Sequence, residues 1–133
     1  MPTLVKDGAI VADRWERLDE TPSTITPGTV VPIDALDAVT VSGTTDVGFW
    51  LQCDIEIEDY ADRLHRYPLI AIDFPAFPDG RGLSIAALLR TRYGYTGEIR
   101  AIGDVLPDWT PFMHRSGFDA YELADERSAE VAI

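Results

Sequence analysis

Four short apolar runs alternate with segments of helical pattern between Val47 and Leu123, and this alternation constrains the fold more than any other feature. Each run predicts a buried strand, and the four runs are Val47–Gln52, Leu69–Phe74, Glu98–Gly103 and Phe118–Leu123. Alternation of strands and helices is typical of a parallel sheet with right-handed crossovers. We therefore predict an α/β fold with a four-stranded parallel βαβαβαβ core. The pattern leaves open whether the sheet is open and doubly wound or curved like half of a (β/α)₈ barrel.

The segments between these runs predict three helices. The first follows Asp54, a residue suited to capping a helix, and has an apolar face at the spacing of a helix, formed by Ile57, Tyr60, Ala61 and Leu64. The second helix is predicted from about Leu83 to Tyr93. The third begins at Thr110, has a proline in its first turn and ends before Gly117.

The first 46 residues predict an added β-hairpin and a linker. Asp7-Gly8 is a strong turn signal between the predicted strands Thr3–Val5 and Ala9–Leu18. Prolines and a glycine among threonines make residues 21–29 a linker, and residues 40–46 are predicted to be a polar loop. The whole chain, residues 1–133, is of single-domain size. It divides into an N-terminal region (1–46), a βα core (47–123) and a tail (124–133).

The composition restricts the class of protein. The net charge is -12, from 23 acidic and 11 basic residues, which argues against binding of nucleic acid or of anionic membrane surfaces. The acidity suits a soluble cytosolic protein, a protein with a basic partner, or a protein of a salt-adapted host. The single cysteine, Cys53, excludes an intramolecular disulfide or a cysteine cluster. No apolar run has the length of a membrane span, and no secretory signal is evident, so we expect a cytoplasmic protein. His65 and His114 lack metal-ligand spacing, and neither a metal site nor a cofactor motif is predicted.

The loop after the second strand is the predicted ligand site. Five residues in this loop and at the start of the following helix are ligand-binding candidates: Asp79, Gly80, Arg81, Gly82 and Ser84. The glycines permit positive φ or close approach of a ligand. The following helix N-terminus and Arg81 attract an anion. The alternative is an internal turn, in which Asp79 and Arg81 pair and cap the helix.

Two carboxylates are candidate catalytic residues. Asp73 and Asp104 lie at the carboxyl ends of strands that we expect to be neighbours, where they would bind a divalent cation or act as acid and base. The alternative is that they cap helices. Glu122 is a weaker third member. Arg100 lies inside a predicted strand, and if it points inward it needs a carboxylate partner, for which Asp73 is the candidate.

The run from Phe77 to Leu106, together with Ser116–Tyr121, resembles an uncharacterised bacterial family. The distinctive phrases are Asp-Gly-Arg, Arg-Tyr-Gly-Tyr, Gly-Glu-Ile-Arg-Ala-Ile-Gly-Asp-Val and Gly-Phe-Asp. Members are small proteins described as probable oxidoreductases of sulfite reduction, and their genes lie beside those for the sulfite-reductase haemoprotein and adenylyl-sulfate reductase. The resemblance implies a pathway and supplies no catalytic residue set. The chain departs from the family pattern at Pro107-Asp108-Trp109, where Arg-Asp-Gln is usual, and at Ser116, where Cys is frequent.

Two functions follow as hypotheses. The first is an accessory protein of assimilatory sulfate and sulfite reduction, which contacts sulfite-reductase or adenylyl-sulfate-reductase proteins and has no identifiable catalytic apparatus or cofactor. The second is a small anion-binding enzyme that uses Arg81 and the helix near Leu83, with Asp73 and Asp104 as acid–base or metal groups. We also expect a homodimer, because a short sheet leaves edges that native proteins cover or pair.

Overall fold

The computed structural model describes residues 2–75 and 80–132. Within them the strands are β1 Thr3–Lys6, β2 Ala9–Val11, β3 Glu16–Arg17, β4 Thr29–Pro32, β5 Val47–Gln52, β6 Leu69–Phe74, β7 Glu98–Gly103 and β8 Ala120–Leu123. The α-helices are α1 Leu36–Ser42, α2 Gly80–Thr91, α3 Thr110–Ser116 and α4 Glu126–Ala132. Short 3₁₀ turns lie at Ile33–Ala35, Ile57–Asp59, Ala61–Arg63 and Pro107–Trp109.

All these strands form one sheet in the order β2-β1-β8-β7-β6-β5-β4-β3. The strands from β3 to β8 are parallel to one another, whereas β1 is antiparallel to both β8 and β2. The prediction of α/β structure and of four neighbouring parallel strands is confirmed. The prediction that these four strands form the sheet core by themselves is wrong, because the sheet has eight strands. Two parallel strands extend one edge, and the N-terminal hairpin extends the other.

The sheet is curled into a half-barrel, and a short connection requires this. β2 ends at Val11 and β3 begins at Glu16, yet these two strands are at opposite edges of the sheet. The chain between those residues reaches at most about 18 Å. The edges of a flat eight-stranded sheet would be about 34 Å apart. The edges therefore approach each other around a concave face, which residues 12–15 cross; we call these residues the crossing link.

The four helices pack on the convex face. Side chains alternate between the two faces of a strand, and one face carries fully buried residues such as Phe49, Ile70, Ile72 and Ile99. These residues form a single hydrophobic core with Leu36 of α1, Leu89 of α2, Met113 of α3 and Ala129 of α4. Helices on one face distinguish a half-barrel from a doubly wound sheet. The opposite, concave face of the sheet is therefore not covered by these four helices.

The predicted helix after Asp54 is absent from the structure. Its place is taken by two 3₁₀ turns, Ile57–Asp59 and Ala61–Arg63. Ile57, Ala61 and Leu64 are nevertheless buried. Ala61 and Leu64 are three residues apart, a spacing that a 3₁₀ turn also brings to one side. The apolar spacing was correct, but it did not distinguish the two kinds of helix. No helix in the described part of the chain is both long and apolar enough to cross a membrane.

The N-terminal region contains more regular structure than predicted. The hairpin is confirmed, with Asp7 and Gly8 at positive φ as a two-residue turn requires. Its second strand ends at Val11 rather than Leu18, and Glu16–Arg17 forms a separate strand. α1 extends to Ser42, within the predicted polar loop, and Gly43 ends it at a φ of 75°. The tail forms α4, which packs on the core through Ala129.

Candidate functional site

A group of charged side chains lies on the concave face of the sheet, centred on Arg100 of β7. Only 3% of the Arg100 side chain is exposed. Its Nε lies 2.7 Å from Glu98 Oε2, and its Nη1 lies 3.0 Å from Asp13 Oδ2 and 3.3 Å from Glu122 Oε2. A buried guanidinium is costly without partners. These carboxylates therefore explain how an arginine is tolerated inside an apolar sheet.

Two further cations extend this group. Lys6 Nζ lies 3.0 Å from Glu98 Oε1, and Arg17 Nη1 lies 3.3 Å from Glu122 Oε1. We call the resulting set of three cations and three carboxylates the charged cluster: Lys6, Asp13, Arg17, Glu98, Arg100 and Glu122. The hydrogen bond to Glu98 raises the pKa of Lys6. Burial disfavours the charged form of Arg100, but Glu98 and Asp13 outweigh it, so the pKa of Arg100 is raised.

The charged cluster joins parts of the chain that are distant in sequence. Asp13 belongs to the crossing link and Arg17 to the edge strand β3, whereas Arg100 and Glu122 belong to β7 and β8. A cavity of about 20 Å³ lies between these side chains, which is room for about one water molecule. Each charge already has an opposite charge as its partner. The arrangement is therefore suited to holding the crossing link and β3 against the sheet.

Asp73 lies at the carboxyl end of β6, where the sequence placed it. It pairs in register with Ile102 of β7, which is on the same face as Arg100. Burial raises the pKa of Asp73, and the positive charge of Arg17 opposes that rise. Asp73 is not among the carboxylates that pair with Arg100, contrary to the expectation from the sequence.

The neighbouring strand end brings Asp104 close to Asp73. Gly103 has a φ of 85°, and a Cβ atom there would collide with the Asp73 carboxylate and the Phe74 carbonyl oxygen. The Asp104 N–H donates a hydrogen bond of 2.8 Å to that same carbonyl. Asp73 is half-buried, whereas Asp104 is exposed. A half-buried carboxyl with a raised pKa at a strand end is the type of group used in acid–base chemistry.

The predicted ligand-binding residues lie in the first turns of α2, except for Asp79, which is outside the described residues. The described part of the helix begins at Gly80, three residues before the predicted start near Leu83. Neither Gly80 nor Gly82 has positive φ. Gly82 is buried where a Cβ atom would meet the Phe74 ring and Cys53 Sγ, so packing requires the glycine. Ser84 Oγ donates to the Gly80 carbonyl oxygen over 3.1 Å, a bond within the helix.

A groove of about 670 Å³ lies between α2 and residues 53–58. We call it the α2 groove. Its apolar lining comes from Ile55, Ile85 and Leu88, and its charged lining from Asp54, Glu56, Glu58 and Arg81. Three carboxylates and one guanidinium give this groove a negative field, which disfavours a small anion near Arg81.

The α2 groove adjoins a strongly acidic stretch, residues 54–62. It contains five exposed carboxylates, and we call them the acidic segment: Asp54, Glu56, Glu58, Asp59 and Asp62. None of the five forms an ion pair with another residue within 2–75 or 80–132. In the α-helix predicted after Asp54, the first of these acids would have stabilised the helix dipole. That explanation is lost, because the segment forms 3₁₀ turns.

Sequence reasoning missed most of the charged cluster. Lys6, Asp13 and Arg17 carry no local signal, since their partners are far away in the chain. The available signal was Glu98 and Arg100 at alternate positions of an otherwise apolar strand. In the described part of the chain, no group of three or more His, Cys, Asp or Glu side chains is arranged to hold a metal ion.

Comparison with known families identifies the chain's relatives. Residues 48–133 match the model of a family described as bacterial protein of unknown function, DUF934, and the chain belongs to that family. The matched part contains β5 to β8, α2, the α2 groove and Asp73. No curated protein and no solved structure gives a significant match.

Proposed function

We propose that this protein is an accessory protein of assimilatory sulfite reduction that acts in the cytoplasm by docking on a basic surface of a pathway partner. The proposed partners are the sulfite-reductase and adenylyl-sulfate-reductase proteins. The acidic segment is the single observation that carries the docking role.

The electrostatics of the chain support such an association. Five exposed carboxylates within nine residues repel one another when no cation is near them. The whole chain adds to this field, since its net charge is -12. A basic partner surface would relieve the repulsion. It would also be steered toward the acidic segment, with an association rate that falls as salt is added.

The choice of pathway is supported by sequence resemblance. The phrases that resemble proteins encoded beside sulfite-reductase genes lie mainly between Phe77 and Tyr121. That region falls inside the part of the chain matched by the DUF934 model.

Gene deletion tests the accessory role. We expect cells without the gene to grow poorly on sulfate as sole sulfur source and normally on cysteine, which enters after sulfite reduction. Sulfite-reductase activity in extracts should fall in the same cells. The cysteine culture is the control for general fitness. Wild-type growth on sulfate together with wild-type sulfite-reductase activity would contradict the proposal.

Asp73 favours a second candidate function, a small anion-binding enzyme. In this proposal Arg81 and the N-terminus of α2 hold the anion against the negative field of the α2 groove, and Asp73 and Asp104 exchange protons or bind a cation. Thermal-shift titrations with sulfate, sulfite, phosphate and Mg²⁺ test it, since a ligand at a hundred times its Kd stabilises the folded state by about 2.7 kcal/mol. Arg81→Ala should abolish the shift, and Arg66→Ala, which removes another exposed arginine, should not. Equal shifts in both variants, or no shift with any ligand, would exclude this function.

A further inference from the structure

We propose that the α2 groove binds an extended segment of a partner protein in which basic and apolar residues alternate. This inference rests on the accessory role proposed above and adds the place and the chemistry of the contact. It follows from three properties of the groove: its lining is both apolar and acidic, its length fits a short extended chain, and its carboxylates form no ion pair with other described residues.

The lining combines two kinds of surface. Ile55 and Leu88 are half-buried, so each has apolar surface in contact with solvent, and both pack on the hydrophobic core from its edge. The carboxylates of Asp54, Glu56 and Glu58 line the same groove and are exposed. An extended chain directs alternate side chains to opposite sides. One set would contact the isoleucine and leucine side chains, and the other would reach the carboxylates.

The length of the groove fits a short extended segment. The lining residues of α2 run from Gly80 to Leu88, a rise of about 12 Å along the helix. About four residues of extended chain cover that distance. The groove volume of about 670 Å³ is within the range of sites that bind ligands of this size.

Charge complementarity selects the occupant. The three groove carboxylates make no ion pair with any other residue that the structure describes, so basic side chains would meet them without displacing an existing partner. A second copy of this chain offers little complement, because its own net charge is -12. A small anion would meet a negative field. A basic partner segment satisfies both the carboxylates and the apolar lining.

Peptide binding to the purified full-length protein tests the proposal. The probe is a short fluorescein-labelled peptide of alternating lysine and leucine, with binding followed by fluorescence anisotropy at low salt. The double variant Glu56→Lys, Glu58→Lys replaces two attractions with two repulsions, and we expect it to weaken binding by about tenfold or more. The matched control, Glu20→Lys with Glu130→Lys, changes the net charge equally at exposed acids outside the groove. It should weaken binding by less than about threefold.

A second comparison changes only the peptide, so that it does not depend on how the protein variants fold. Replacing the leucines by serine keeps every positive charge and removes the apolar contacts, and we expect about tenfold weaker binding. Equal losses in the two protein variants would overturn the proposal, because binding would then follow net charge alone. Equal binding of the leucine and serine peptides would also overturn it. The result is separable from the genetic test. The deletion strain could fail to grow on sulfate while peptide binding depends neither on the groove carboxylates nor on the leucines of the peptide. That combination would reject the groove as the docking site and retain the accessory role.

Discussion

Replacing Arg100 by methionine tests whether the charged cluster holds the curled sheet together. The substitution keeps a long side chain in a site that is 3% exposed but removes the charge shared by three carboxylates. Removing one partner of a buried ion pair commonly costs 3–5 kcal/mol, because the opposite charge is left buried. Here Glu98 retains Lys6 and Glu122 retains Arg17. We therefore expect a loss near the lower limit, about 3 kcal/mol.

Urea unfolding followed by circular dichroism measures this loss. The control is Arg14→Met, which removes another arginine from the N-terminal region. Arg14 pairs with Asp46 over 2.9 Å, but their side chains are 58% and 49% exposed. An exposed ion pair contributes less than about 1 kcal/mol. The two variants thus separate a buried ion-pair network from an ordinary surface contact. A loss of stability in Arg100→Met that is no larger than the loss in Arg14→Met would refute the reasoning.

Three further predictions follow from individual residues. Gly82→Ala should lower the melting temperature, because a Cβ atom would meet the Phe74 ring. Gly80→Ala places a Cβ atom with no atom of the described residues within 4 Å, and it should be neutral or stabilising by up to about 1 kcal/mol; thermal melts compare the two variants. The raised pKa of the Asp73 carboxyl means that its ionised form opposes folding, so this group lowers the stability of wild type as the pH rises above about 4. Asp73→Asn should remove that loss. Urea unfolding measured across acidic pH would show the same pH dependence in both proteins if this is wrong. We expect a homodimer, so light scattering should give twice the monomer mass of 14.7 kDa. Ile10→Lys, on the exposed edge strand β2, should give the monomer mass, because a charge on an edge strand opposes pairing with a second chain. A monomer mass for wild type would contradict the prediction.

The strands of the parallel region were predictable because burial on both faces leaves a continuous apolar run. Val47–Gln52, Leu69–Phe74 and Glu98–Gly103 have the predicted boundaries, and β8 begins two residues later than predicted. The 3₁₀ turns after Asp54 could not be distinguished from an α-helix by apolar spacing, since the three-residue spacing within the pattern suits both. β3 was missed because a two-residue strand is fixed by its neighbour β4, and no local pattern reports that contact.

The candidate site was predicted in part for a related reason. The carboxyl ends of neighbouring parallel strands meet at one edge of a sheet, and that rule brought Asp73 and Asp104 to adjacent strand ends. No comparable rule joins Asp13 or Arg17 to Arg100, because those contacts depend on the curl of the sheet. The local apolar pattern therefore predicts most strands of this chain, whereas the ion pairs of the charged cluster depend on how the sheet curls.

The pairing of β1 with β8 has a consequence for the order of events during synthesis. β1 lies between β2 and β8, so the hairpin gains its second neighbour only from β8, which is made after all the other strands of this sheet. Contacts between segments far apart in sequence are slow to form. Until then the hairpin has an unpaired edge, which is open to association with other nascent chains. We expect the full sheet to assemble only after β8 has been made, and a chain lacking residues 120–132 to be captured by chaperones.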